Sequence, residues 1–144
     1  METTRQLAQR ILDTHHALLK RELPRLGGVL QKGDPELSRV FRELWQTMEE
    51  HLWKEEAILF PAIFALSDGE QAMGCGVMGP IRQMGYEHDI IRELETRLRK
   101  LAPRAGAEQS ALIALLDDLA VHAQTEDDQL FPQALSLEEN AFSR

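Results

Sequence analysis

The sequence lacks the cysteines for an internal disulfide framework. The chain has a single cysteine, Cys75, so no internal bridge can form, and one thiol suits a reducing compartment. Long hydrophobic runs are missing as well. The longest, AILFPAIFAL, is interrupted by a proline and falls well short of the roughly 20 apolar residues that span a bilayer. Positive charge is scarce: 16 Lys and Arg face 24 Asp and Glu, a net charge of −8. That balance repels phosphate backbones and anionic membranes, so neither nucleic acid nor a membrane is expected as a partner. The opening residues METTRQLAQR lack the apolar core of a signal peptide. A soluble, cytoplasmic protein is the expectation.

What is present points to helices. The 144 residues suffice for one domain with its own core. Stretches rich in Leu, Ala, Glu, Arg and Gln alternate with breaks. Pro24, Gly27, Gly28, Gly33 and Pro35 mark the first break, five of the nine glycines fall within residues 69–85, and Pro103 and Gly106 mark the last. The pattern predicts helices at about 3–23, 36–66, 80–102 and 107–134. Asp34-Pro35 reads as an N-cap with proline in the first turn, and Gly79-Pro80 opens the third helix similarly. Short connections between long helices predict an all-α, up-down-up-down antiparallel four-helix bundle in a single domain over 1–144. Pro61 lies inside the second pattern, where a kink or a stop is expected.

One segment is written twice. HLWKEEAILFP runs from His51 to Pro61, and HAQTEDDQLFP from His122 to Pro132. Both keep a histidine, a glutamate four residues on, a second acid beside it, and Leu-Phe-Pro at the end. The second helix's inward seam reads Leu37, Phe41, Leu44, Met48, His51, Glu55, Ile58, Ala62; the fourth reads Leu112, Leu115, Leu119, His122, Glu126. The first reads Leu12, His16, Leu19, Leu23 and the third Ile81, Met84, His88, Ile91. Steps of three and four keep these side chains on one face. Each helix thus sets a histidine where an apolar residue belongs, and two of them add a glutamate. On the first helix Ala8, Ile11, His15 and Leu18 form a rival stripe, so helical phase alone leaves His15 and His16 both open.

A buried polar group without a partner costs ~1–3 kcal/mol. Six of them would rival the ~5–15 kcal/mol that holds a domain together. They must satisfy one another in a His–Glu network or share a cation, and imidazole with carboxylate suits iron, manganese or zinc. Six protein donors exceed the needs of one catalytic zinc and match a binuclear centre. Glu55 and Glu126 would bridge two ions, two histidines would complete each, and a position would stay open for a small diatomic or peroxide ligand.

These residues resemble the hemerythrin-like HHE family of non-haem di-iron bundles and, more narrowly, the di-iron domain of the repair-of-iron-centres proteins. The resemblance is carried by DTHHALLKRELPRL, HLWKEEAILFP, QAMGCGVMGPIRQMGYEHD and DLAVHAQTEDDQLFP, together about residues 10–135. It implies two iron ions joined by an oxo or hydroxo bridge. By position the ligands would be His16, His51, Glu55, His88, His122 and Glu126, with His16 preferred to His15. It also implies protection against nitric oxide and oxygen species, and repair of iron–sulfur clusters by supplying iron, with iron–sulfur proteins as partners. Many repair proteins precede the bundle with a small cysteine-pair domain, whereas this chain opens on the bundle. Nor does LGGVLQKGDPEL hold the histidine that some members carry there. The alternatives are a reversible oxygen binder or sensor and a metal-free helical interaction module. Four matched histidines, against five in the oxygen carriers, favour chemistry over carriage, though no electron-donor site marks the chain as an enzyme.

Lesser expectations complete the reading. Glu56, Glu87, Asp89 and Asp127 flank the proposed ligands; one could brace a metal-bound imidazole, with solvent around most of them. Phe60-Pro61 and Phe131-Pro132 are expected to plug and terminate the bundle end. Cys75, Met73, Met78 and Met84 read as ordinary packing.

Overall fold

The computed structural model describes residues 1–70 and 76–142; Met73 and Cys75 lie outside them. All regular structure among the described residues is helical. The elements are α1 (Thr4–Ile11), α2 (Ala17–Leu30), α3 (Pro35–Lys54), α4 (Phe60–Ser67), α5 (Met78–Leu101), α6 (Gln109–Thr125) and α7 (Phe131–Phe142). Three five-residue π turns join them end to end: Leu12–His16 between α1 and α2, Glu55–Leu59 between α3 and α4, and Glu126–Leu130 between α6 and α7. A 3₁₀ segment, Ala102–Glu108, links α5 to α6 and turns at Gly106, whose φ of 60° favours glycine.

Local chemistry accounts for the ends. The Asp34 side chain accepts a hydrogen bond from the Leu37 amide at 2.9 Å, and Pro35 occupies the first turn of α3, as the sequence predicts. α5 begins at Met78, two residues before Pro80. The first helical run outlasts its prediction, passing Pro24 and reaching Leu30. Proline inside a helix costs ~3 kcal/mol. Beyond it, however, Leu26 and Leu30 continue the buried stripe of Leu19 and Leu23, each contributing ~1.5–3 kcal/mol. Packing of the face wins. Gly27 makes room for it: a Cβ there would stand 2.7 Å from the Trp45 ring.

The prolines of the doubled segment do not end their helices either. The Phe60 amide donates to the Glu55 carbonyl and the Phe131 amide to that of Glu126, each five residues back. Such a widened turn leaves its ladder one bond short, and the following Pro61 and Pro132 have no N–H to offer it. The insertion also advances the helix phase. Beyond Glu55 the buried residues are Leu59, Phe60, Ile63 and Leu66, and Ile58, expected inside, is 49% exposed. Ala62 is only half-buried, as are Leu12 and Ile81 at the ends of the other expected seams.

Two apolar clusters result. One joins α2, α3, α5 and α6 around Leu19, Leu23, Phe41, Leu44, Met48, Leu98 and Leu116. The other joins α1, α4, α7 and the start of α5 around Leu7, Ile11, Leu59, Phe60, Ile63 and Phe131. Between them, at the level of the π turns, lies a buried layer of histidine and glutamate.

Candidate metal centre

His16 closes the first π turn, while Glu55 and Glu126 open the other two. One turn ahead of each glutamate come His51 on α3 and His122 on α6, and His88 lies on α5. All six side chains are buried, with both glutamates 0% exposed. π turns recur at functional sites because the extra residue redirects side chains that a regular helix would stack. Here each π turn opens or closes on one of the buried polar residues.

The six divide into two overlapping sets. His16, His122, Glu55 and Glu126 bring one donor atom each within 4.8 Å of one another, and so do His51, His88, Glu55 and Glu126. Both glutamates belong to both sets, and their oxygens split between them. Glu55 turns Oε1 to His16 Nε2 at 3.0 Å and His122 Nε2 at 3.6 Å, and Oε2 to His51 Nε2 at 3.5 Å. Glu126 turns Oε2 to His122 Nε2 and Oε1 to His88 Nε2, both at 3.0 Å. His15 stays outside both sets. It donates from Nδ1 to Asp118 at 2.9 Å and lies parallel to the His122 ring, 5.4 Å between centroids.

The donor set fits a cation better than a hydrogen-bonded network. His51 Nε2, His88 Nε2, Glu55 Oε2 and Glu126 Oε1 are buried without a hydrogen bond. His88 Nε2 and Glu126 Oε1 are close enough for one but point wrongly for it, as lone pairs do when they converge on a shared point. Ligands ~2.1 Å from one ion stand ~3–3.5 Å apart, close to the 3.0–3.6 Å found between the imidazole and carboxylate atoms.

Charge tells the same story. Burial and then the nearby Glu55 carboxylate push Glu126 well above the usual carboxylate range, against the pull of His88. Burial also opposes charge on Glu55, but the His51 charge and the nearby His122, His16 and His51 imidazoles hold it well below that range. In His51 burial is outweighed by Glu55, Glu87 and Glu126, which raise the imidazole to about 10. The protein alone therefore favours charge on Glu55 over Glu126 and a proton on His51. Cations in the two sets would displace the protons of His51 and Glu126.

Three of the four histidines are braced from behind. His16 Nδ1 meets Glu56 at 2.8 Å, His51 Nδ1 meets Glu87 at 3.0 Å and His88 Nδ1 meets Asp127 at 2.8 Å. Each acid is in turn held by a cation: Lys20, Lys54 and Arg92 respectively. His51 and then Lys54 hold Glu87 down at about 2. With a cation bound, each ionised acid would hold its imidazole's proton on Nδ1 and leave Nε2 free to face the ion. Solvent was expected around most of the flanking acids, but only Asp89 turns outward, pairing with Arg92. The partners sit 36 to 40 residues apart, so helix periodicity gave no sign of them. Asp118, one turn before His122 on α6, holds His15 and braces none of the six donors. We expect Asp127→Asn to leave the fold intact and weaken metal binding ~10–100-fold, measured by competition with a coloured chelator. Unchanged affinity would separate Asp127 from the centre.

The Leu-Phe-Pro ends also serve this layer. Phe60 stacks on His16 with centroids 5.4 Å apart, and Phe131 on His88 at 5.9 Å. Both rings close the polar layer on the side of the second apolar cluster, so they plug it without terminating a helix.

Known proteins are similar to this chain. The protein named iron-sulfur cluster repair protein YtfE in Escherichia coli O157:H7 is 32% identical over 91% of this chain and 66% of its own length. Proteins of the same name in Citrobacter koseri and Escherichia coli O1:K1 are each 34% identical over 69% of this chain and 47% of theirs. The chain thus spans about half to two thirds of the curated relatives it matches. The hemerythrin HHE cation binding domain matches residues 7–134, a span that contains all six donors and both copies of the doubled segment. The chain belongs to the hemerythrin HHE cation-binding family.

Proposed function

We propose that the chain is one domain, an antiparallel up-down-up-down four-helix bundle, and that it holds two iron ions for use under nitrosative or oxidative stress. His16 and His122 would hold one ion, His51 and His88 the other, with Glu55 and Glu126 shared. The observation that carries this reading is the split of both carboxylates between two histidine pairs. A single-ion site needs no such division.

Bound iron supplies redox chemistry toward nitric oxide, oxygen or peroxide. The protein's own part is to hold imidazoles and carboxylates in place and keep water out. Glu56, Glu87 and Asp127 fix the histidines, and Phe60 and Phe131 shield two of them. A protein-derived set of four donors for each ion leaves room for a small ligand and for release. Relatives named as iron–sulfur cluster repair proteins support delivery of iron to damaged clusters as the outcome. Iron–sulfur proteins are then the macromolecular partners and the cytoplasm the place of action. No helix among the described residues is long and apolar enough to cross a membrane.

Delivery is tested by mixing iron-loaded protein anaerobically with a cluster-depleted iron–sulfur protein and a sulfide source. The acceptor's visible cluster absorption should return as this chain loses iron. Iron retained throughout, together with oxygen taken up and given back by the reduced protein, would replace delivery with the oxygen-carrier reading.

A further inference from the structure

Away from the polar layer, a groove of about 470 Å³ runs between α2 and α3. Both tryptophans of the chain line it, though neither takes part in the centre. Trp45, Glu49 and Trp53 stand four residues apart, which on a helix stacks them on successive turns of one face. Trp45 is half-buried, Trp53 is 64% exposed, and Leu19, Leu23 and Leu52 supply an apolar floor. A solvent-facing helix has no need of two indoles beside a hydrophobic slot, and a large exposed indole loses free energy in water.

The groove's acids narrow the occupant. Glu56 is committed to Lys20 and His16. Glu49 accepts only the Trp45 indole N–H, on Oε1 at 2.9 Å. No cation pairs with it among the described residues, and it lines the groove together with both indoles. Carboxylate and indole faces both attract organic cations, and both repel anions.

We propose that this groove is a binding site for a small organic cation with an apolar stem, of the alkylguanidinium or alkylammonium class. The charged head sits against Glu49 and the indole faces, and the stem lies on the leucine floor. Lys20 at the far rim, held by Glu56, disfavours a cation there and orients the ligand with its head toward Glu49.

Because both tryptophans line the groove, intrinsic fluorescence of the intact iron-loaded protein reports on it. Titration with hexylguanidinium at constant ionic strength should change the emission saturably, while hexanoate and hexanol should not. Glu49→Gln removes one charge-assisted contact from a solvent-exposed position and should weaken binding about tenfold. Trp53→Leu, which keeps the slot apolar, should weaken it as well while Trp45 still reports. Equal response to hexanol would show a merely apolar slot and overturn the proposal. So would absence of any saturable change, or emission that shifts with protein concentration alone as the slot is covered by a second copy.

Discussion

Glu55→Gln and Glu126→Gln should each cut the metal content of reconstituted protein from about two ions per chain to well below one. The reasoning is geometric. Each carboxylate turns one oxygen to each histidine pair, so either change removes a donor and a negative charge from both sets at once. Glutamine keeps the volume, so the packing between the two apolar clusters should survive. Replacing a histidine acts differently: His16→Gln touches only the set completed by His122, and should leave about one ion at the His51–His88 side. Elemental analysis of folded variants reads this directly. Glutamate variants that keep the parent's metal, or lose no more than His16→Gln does, would show that the carboxylates are not shared.

The second large effect concerns pH, and its sign differs between the metal-free and loaded forms. His51 is raised from 6.5 to about 10 in the folded chain. A raised group binds its proton more tightly when folded, so the stability it gives is complete below 6.5 and is lost as pH climbs toward 10. Glu126, also raised, pulls the same way. Glu87, lowered to about 2, acts oppositely: its contribution is present above 4.5 and is lost as pH falls toward 2. Metal-free protein should therefore melt at its highest temperature in mildly acid solution and at steadily lower temperatures from pH 6.5 to 9. Metal requires neutral His51 and ionised Glu126, so loading should release protons and tighten as pH rises, by up to about tenfold per unit for each proton released. Melting curves of both forms, with calorimetric loading in buffers of different ionisation heat, measure it. A metal-free melting temperature that rises across that range would contradict the proton placement.

Much of this was legible in the sequence, for identifiable reasons. The Asp34-Pro35 start rests on local capping chemistry, which needs no knowledge of the fold. The six inward polar residues announce themselves because they interrupt apolar seams at helical spacing. What failed was everything that depends on partners. Pro24 reads as a stop until Leu26 and Leu30 are seen to have a core to enter. Ile58 reads as buried until the π turn at Glu55 adds its extra residue and hands the place to Leu59. No intrinsic preference of Glu-Glu-Ala-Ile-Leu marks that turn, yet the same Glu…Leu-Phe-Pro frame produces it in both copies. The repeat thus encodes a backbone irregularity together with a pair of donors. The acids behind the histidines come from other helices and become visible only when the helices meet. His15 and His16 show the limit most plainly, since either residue suits the helix pattern and packing alone puts one among the donors and the other against Asp118.

The central claim is that two metal ions sit between the histidine pairs and share both glutamates. Anomalous diffraction at the iron edge from crystals of the loaded protein tests it most directly. The account predicts two separate peaks, one between His16 and His122 and one between His51 and His88, each within bonding reach of both carboxylates. One peak, or density that leaves Glu55 or Glu126 bonded to a single ion, would contradict it.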